Sequence, residues 1–373
     1  MTPHQWRLFL CYNYFCYGEK MELFLLILQY LGLALVVVFA AQVEGNIVDE
    51  LDKRTKLSAA LLGGVLLAAI TSIPEFITSI TATVFLGQPG LAFGNIFGSN
   101  FFNIVILAVM DLIFIRKVVY TQIQSMSKSI NFVNITYFIV LLPFVLGIFS
   151  SANAFGGLAN NQLFRIVLNS SIVGLSIMSI AILVIYFLSV RSLSVPDEEE
   201  EESVDDTSRY SKYSIQQLSG LFVVFSIVLI AGAYFLTGVT NDIAISTGLN
   251  ASFVGALFLG VATSLPELAS VYTLFKLGNY EAAAGGVIGS NMFNFTIIAV
   301  VDIFVTTNII TLITDDPLVS TNALTLLVLG LINSIILLLA LQRKVRKTTS
   351  VFYSVPSILI ISNYVLYLFL SFV

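Results

Sequence analysis

The sequence predicts an all-α polytopic membrane protein of ten transmembrane helices, arranged as two inverted five-helix repeats. Three observations predict it. Of 373 residues, 57% are hydrophobic and 10% charged, whereas about a quarter of a soluble domain is charged. Apolar stretches of about 20 residues, long enough to cross a bilayer, follow one another along the chain. One pattern also occurs twice, as Thr71-Ser72-Ile73-Pro74-Glu75 and Thr263-Ser264-Leu265-Pro266-Glu267, followed by Gly98-Ser99-Asn100-Phe101-Phe102-Asn103 and Gly289-Ser290-Asn291-Met292-Phe293-Asn294.

Taken in order, spans are expected over 23–43, 57–86, 91–115, 130–150, 164–190, 215–237, 249–276, 282–307, 318–342 and 350–372, bounded by charges and by Gly and Asn clusters. Residues 1–20 read as an extension, with Met21 an alternative start. They are too polar and aromatic for a signal peptide and have no small-residue cleavage site. The first half is expected over 21–190, with its repeated part at about 57–115. A hydrophilic linker covers 191–214, and the second half covers 215–373, with its repeated part at about 249–307.

Loop charge orients these spans. Lys53, Arg54 and Lys56 follow span one; Arg116, Lys117 and Lys128 follow span three; Arg191, Arg209 and Lys212 follow span five. Lys276 ends span seven, and Arg343, Lys344, Arg346 and Lys347 follow span nine, while loops after even spans carry almost no Lys or Arg. The positive-inside rule then makes odd-numbered loops and the 191–214 linker cytoplasmic, and puts both termini outside. Five spans per half send the second half in from the opposite side, so the copied motifs are related by an axis in the membrane plane. Pro266 and Glu267 lie 192 residues after Pro74 and Glu75, and Ser290, Asn294 and Asp302 lie 191 after Ser99, Asn103 and Asp111.

A carboxylate inside hydrocarbon is costly unless partnered, so Glu75 and Glu267 at matching places point to a shared cation. Helical spacing sets Ala68, Thr71, Ser72 and Glu75 on one face, and Gly260, Thr263, Ser264 and Glu267 likewise. Pro74 and Pro266 open the preceding turn and turn backbone oxygens toward a ligand. Ser99 with Asn103, and Ser290 with Asn294, add oxygens one helical turn apart. Carboxylate, hydroxyl, amide and carbonyl oxygens suit Ca²⁺ and Na⁺, and two glutamates balance one Ca²⁺.

The rest of the sequence narrows the function. Cys11 and Cys16 make neither a disulfide framework nor a zinc site, and His4, the one histidine, is far from the motifs. No basic patch suits nucleic acid, no obligate protein partner is implied, and no nucleophile–base pair, histidine cluster or phosphate loop indicates an enzyme. Asp197 to Asp206 forms an acidic run read as a solvated linker; it lacks the glycine turn of an EF-hand. Asp111 and Asp302 read as interhelical polar contacts, or as stepping points in an ion path.

With Thr-Ser-x-Pro-Glu and Gly-Ser-x-x-x-Asn in both halves, the chain from about Met21 onward resembles the sodium/calcium exchanger branch of the cation/calcium exchanger superfamily. The proton-coupled branch typically has Gly-Asn-x-x-Glu where this chain has Thr-Ser-x-Pro-Glu. The resemblance implies ten helices, four central ion sites, no cofactor, and alternating access by sliding of the first and sixth helices. It implies Glu75 and Glu267 as principal Ca²⁺ ligands, with backbone oxygens from Thr71, Thr263, Ala68 and Gly260. Ser72, Ser264, Ser99 and Ser290 would line sodium sites, with Asn103 opposite the centre. Many of these exchangers have Asp where this chain has Asn294, which lowers the charge of the site by one. The short linker also lacks the regulatory domains of animal exchangers.

The expected function is therefore Ca²⁺ transport in exchange for Na⁺ in a cell membrane. Ca²⁺/H⁺ exchange, with Glu75 and Glu267 carrying protons, remains an alternative on the same scaffold. A cation channel would more usually assemble around an axis normal to the membrane.

Overall fold

The computed structural model describes residues 3–55, 71–151, 171–172, 175–193, 210–304, 317–343 and 351–372. Helix α1, Pro3–Thr55, has its only proline in the first turn, where no hydrogen bond is lost. Its stretch long and apolar enough to cross a membrane is Met21–Val48, which runs past the expected end at 43 and takes in Glu44. Helix α2, Ile73–Ile80, continues into a π-helical turn at Thr81–Phe85. Helix α3 is Pro89–Ile113 and α4 is Ser127–Ser151, joined by short helical turns.

A two-residue antiparallel pairing, Ser171–Ile172 with Leu175–Ser176, precedes α5, Ile177–Leu193. Helix α6, Ile215–Thr247, outruns the expected 215–237 because both ends are well capped. Ser214 Oγ accepts from the Gln217 amide and Gln217 Oε1 from the Ser214 amide, while Gly248 closes the far end at φ 67°. The expected span over 249–276 is broken: α7, Ala251–Thr263, meets α8, Leu265–Leu277, at a 43° bend. Helices α9, Tyr280–Phe304, α10, Pro317–Gln342, and α11, Val351–Phe372, follow.

Among the described residues seven helices are long and apolar enough to cross a membrane, or eight with the bent pair as one span. The other two expected spans are described only in part, as the shorter apolar helices Ile73–Phe85 and Ile177–Val190. The linker's acidic run and Ala68 lie outside the described residues.

Burial separates a core from a lipid-facing shell. In α3 and α9, 78% of the most apolar window is buried, against 17% in α1 and 28% in α6. Helix α3 packs on α7, α9, α10 and α11, and α1 lies along α6. The α3–α7 contact brings backbone against backbone. A Cβ on Gly94 would stand 2.0 Å from the Ser252 carbonyl oxygen, and one on Gly98 2.5 Å from Ala256 Cα. From the other side, a Cβ on Gly255 would stand 2.2 Å from the Leu91 carbonyl oxygen. Without an apolar gain between helices in lipid, such small-residue contact is what draws helices together.

Overpacking a close core typically costs about 1–3 kcal/mol. Gly94→Ala and Gly98→Ala are therefore expected to lower the thermal unfolding midpoint of detergent-purified protein by several degrees. A Cβ added to Gly220, in α6, would meet nothing within 4 Å, so Gly220→Ala should leave the midpoint unchanged or raise it. Equal midpoints for all three variants would contradict the α3–α7 packing.

Candidate functional site

The site begins with two matching breaks in helical hydrogen bonding. Ser72 precedes α2 with φ −91°, ψ 10°, and Ser264 precedes α8 with φ −86°, ψ 0°. Each new helix then has proline in its first turn, Pro74 or Pro266, where a missing N–H is harmless. Glu75 and Glu267 stand in those same first turns, at the end of a helix whose dipole favours a negative charge.

Both carboxylates are buried and close enough for their charges to act on each other. Glu75 Oε1 accepts from Ser99 Oγ and Ser264 Oγ, each at 3.4 Å, and Glu267 Oε1 accepts from Ser290 Oγ at 3.5 Å. Ser99 Oγ also donates to the Gly260 carbonyl at 3.1 Å and lies 3.5 Å from Thr263 Oγ1. In the matching position Thr71 Oγ1 lies 3.3 Å from Ser290 Oγ. Eight of the residues expected at the site thus meet there: Glu75, Ser99, Gly260, Thr263 and Ser264, and across from them Glu267, Thr71 and Ser290.

The asparagines form a bracket between α3 and α9. Asn100 Nδ2 donates to the Asn291 carbonyl at 3.3 Å and Asn291 Nδ2 to the Asn100 carbonyl at 3.1 Å. Asn103 Nδ2 donates to Asn291 Oδ1 at 2.9 Å, and Asn294 Nδ2 to Asn100 Oδ1 at 3.0 Å. Every donation is answered by one from the other helix. The side-chain oxygens of Asn103 and Asn294 are left over.

Five buried oxygens of the expected residues, Glu75 Oε2, Glu267 Oε2, Ser72 Oγ, Asn103 Oδ1 and Asn294 Oδ1, have no hydrogen-bond partner among the described residues. Burying such groups without a partner is unfavourable by several kcal/mol for a charged oxygen. All five are oxygens of the kind that ligates a hard cation.

Sequence reasoning missed several members of this network. Asn95 Nδ2 donates to the Glu75 carbonyl at 3.2 Å, to Thr78 Oγ1 at 2.8 Å and to Ser79 Oγ at 2.9 Å, securing α2 to α3. The available signal was its place one helical turn before Ser99, in line with Asn103. Asn100 and Asn291 stood in the open, inside the copied Gly-Ser-Asn element. Glu44, expected beyond the end of the first span, is buried within it and accepts from Ser226 Oγ of α6 at 2.5 Å.

Asp111 and Asp302 sit away from the glutamates and join helices. Asp111 accepts from the Tyr353 hydroxyl and, at 2.7 Å, from Ser357 Oγ, tying α3 to α11. Asp302 Oδ2 accepts from the Ser176 amide at 2.8 Å and Ser179 Oγ at 2.7 Å, tying α9 to α5. The geometry favours interhelical contacts over stepping points.

Similarity to known proteins agrees with this geometry. The family model described as "Sodium/calcium exchanger protein" matches residues 24–191 and 218–373. The inner membrane protein YrbG of Escherichia coli (strain K12) is 24% identical over 279 residues, covering 72% of this chain and 75% of that protein. The solved structure of native YfkE superposes with a TM-score of 0.54 at 15% identity, covering 94% of this chain and 96% of its own. The crystal structure of the H⁺/Ca²⁺ exchanger CAX does so at 0.50 and 14%, covering 95% of each. At these identities the two structures establish likeness of fold.

Asp111→Ala leaves the Ser357 and Tyr353 hydroxyls without their acceptor, at a typical cost of about 1–3 kcal/mol. The unfolding midpoint in detergent should fall, while half-saturation by Ca²⁺ in a flux assay stays within about twofold. A loss of Ca²⁺ affinity at unchanged stability would instead place Asp111 in the ion path.

Proposed function

The chain belongs to the sodium/calcium exchanger protein family, and we propose that it is a secondary active antiporter carrying Ca²⁺ in exchange for Na⁺ by alternating access at the Glu75–Glu267 site. The observation that carries this reading is the pair of buried carboxylates bonded by hydroxyls from both repeats, Ser99 and Ser264 on Glu75 and Ser290 on Glu267. An antiporter needs a site that is unfavourable when empty, so that the protein changes sides only when loaded. Two adjacent glutamates in hydrocarbon meet that need, and Ca²⁺ and Na⁺ compete for the same oxygens.

In this reading Glu75 and Glu267 are the principal Ca²⁺ ligands, with Thr71, Thr263, Ala68 and Gly260 offering backbone oxygens. Ser72, Ser264, Ser99 and Ser290 line the sodium positions, and Asn103 and Asn294 close the site with amide oxygens. The ten-helix, inverted-repeat organisation, with halves at 21–190 and 215–373, is supported by bonds that recur in pairs. Thr71 with Ser290 answers Thr263 with Ser99, and Asn103 with Asn291 answers Asn294 with Asn100. The multi-pass protein would sit in the cell membrane with both termini outside and the 191–214 linker cytoplasmic, as the loop charges favour.

Proton coupling on the same scaffold is the second reading. Asn294, where many sodium/calcium exchangers have Asp, favours it by removing one charge that would hold a sodium ion.

In proteoliposomes at fixed pH, an outward Na⁺ gradient is expected to drive ⁴⁵Ca²⁺ uptake. Indifference to Na⁺ together with a response to a pH gradient would select the proton reading. With one carboxylate removed, Ca²⁺ keeps half of the charge that compensates it inside hydrocarbon, so Glu75→Gln and Glu267→Gln should each reduce this flux about 100-fold or more while the protein remains inserted. Wild-type flux in either variant would refute the site.

A further inference from the structure

We infer that Asn95 is a positioning residue of the ion site: it fixes the first turn of α2 against α3 and α7, and through that turn sets how Glu75 meets Ca²⁺. This rests on the reading of Glu75 and Glu267 as the Ca²⁺ site and adds to it a residue outside the expected ligands.

Asn95 is buried in α3, one helical turn before Ser99. The two share a face of the helix and divide the work: Ser99 reaches the Glu75 carboxylate, and Asn95 the backbone that carries it. A side-chain amide has two N–H groups and one carbonyl oxygen, and in Asn95 both ends are engaged. Nδ2 lies 2.8 Å from Thr78 Oγ1, 2.9 Å from Ser79 Oγ and 3.2 Å from the Glu75 carbonyl oxygen. The Thr78 hydroxyl already has acceptors in the Pro74 and Glu75 carbonyls, at 2.8 and 3.1 Å, so it turns a lone pair toward Asn95. That requirement orients the amide, with its nitrogen toward α2 and its oxygen toward α7. There Oδ1 accepts from Thr263 Oγ1 at 3.4 Å, a hydroxyl whose shorter bond, 2.9 Å, goes to the Leu259 carbonyl. One side chain thus ties α2, which carries Glu75, to the end of α7 at Thr263.

The second copy of the motif is built differently at this place. Ser290 answers Ser99, but the residue one turn before it is Gly286, and Ser270 and Val271 lie 192 residues after Thr78 and Ser79. Glycine has no amide to offer and valine no hydroxyl to receive one, so the anchor serves Glu75 and has no copy beside Glu267. Groups that hydrogen-bond behind a metal ligand fix its orientation, and replacing them typically costs about 10–100-fold in affinity. Asn95 stands in that relation to Glu75, acting through the α2 backbone and Thr78.

Two readouts on the full-length protein separate positioning from mere packing. One is the Ca²⁺ concentration for half-maximal ⁴⁵Ca²⁺ uptake in proteoliposomes; the other is the concentration that gives half of the Ca²⁺-induced rise in unfolding midpoint in detergent. Asn95→Ala is expected to raise both about 10-fold or more, with maximal uptake within about threefold of wild type. Gly286→Ala, whose added Cβ would meet nothing within 4 Å, should leave both within about twofold. Thr78→Val removes the hydroxyl to which Asn95 donates and should raise both concentrations by a smaller factor. In the double variant the two increases should not multiply, because they act through one bond. An Asn95→Ala protein with a lowered midpoint but wild-type Ca²⁺ half-saturation would make Asn95 a packing residue and overturn the inference, leaving the antiport reading in place. Effects that multiply in the double variant would overturn the route through Thr78. Should Asn95→Ala fail to fold, Thr78→Val alone decides: wild-type half-saturation in that variant refutes the inference. A wild-type protein with neither gradient-driven Ca²⁺ uptake nor a Ca²⁺-induced rise in midpoint would overturn the Glu75–Glu267 reading itself.

Discussion

Everything in this molecule is arranged around two carboxylates that hydrocarbon cannot solvate. In a bilayer every polar group has to find its partner within the protein, and by interrupting two helices the chain does this for one oxygen each of Glu75 and Glu267. At Ser72 and Ser264 the backbone leaves the helical range, and the first turn of each helix that follows carries the glutamate. The proline that follows each serine makes the interruption local: it stops the previous helix without disturbing the next. The glutamates are thus held at helix N-termini, with hydroxyls from α3 and α9 beside them.

Bringing those hydroxyls close enough requires α3 and α7 to touch along their backbones. Gly94 and Gly98 on one helix and Gly255 on the other leave no room for a Cβ, and Gly260 lets the Ser99 hydroxyl reach its carbonyl at 3.1 Å. Glycine in a helix interior is unfavourable by about 0.5–1 kcal/mol relative to alanine. Here that penalty is offset by close packing and by the access it gives to a backbone oxygen. The asparagine bracket serves the opposite side of the site, fixing α3 to α9 through four donated bonds while releasing two oxygens inward.

Much of this was legible in the sequence because repetition exposed it. Glu75 and Glu267, their prolines, and the serines and asparagines four residues apart stand out only when the two halves are aligned, and they do meet. What stayed hidden depends on tertiary register. Asn95 has no copied counterpart, since residue 286 is Gly, and its role in joining α2 to α3 follows from which face of α3 is turned inward. The first span was expected to end at 43, since a glutamate normally marks the end of an apolar run, whereas the helix continues through Glu44. Glu44 escapes that rule by lying against α6, where Ser226 supplies a hydrogen bond. The far end of α6 was hidden because Thr237 does not end the helix: its Oγ1 bonds within it, to the Ala233 carbonyl at 2.7 Å, and the helix runs on to Thr247, where Gly248 caps it.

The pairing of α1 with α6 connects the site to motion. Their cytoplasm-proximal ends, as the loop charges assign them, are joined by Arg54. Its guanidinium pairs with Glu50 at 2.6 Å and donates to the carbonyls of Tyr213, Ser211 and Tyr210 at 2.6, 2.7 and 3.3 Å. Those carbonyls belong to the segment that enters α6, so one side chain holds the end of α1 to the start of α6. Deeper in, Glu44 bonds Ser226 and the Phe39 ring packs edge-on against Phe225. Polar bonds from this pair to the core are sparse by comparison; Tyr30 donating to the Phe258 carbonyl at 2.9 Å is one. Phe258 belongs to the π-helical turn Gly255–Leu259 within α7, where the backbone is already loosened just ahead of the Ser264 break. Shear along an apolar contact breaks few hydrogen bonds, whereas separating α1 from α6 would strip an arginine and a buried glutamate of their partners. For the proposed alternating access, the favoured division of the molecule is therefore an α1–α6 layer moving as one body against a core that keeps the glutamates, with the Tyr30–Phe258 contact lying directly between the two.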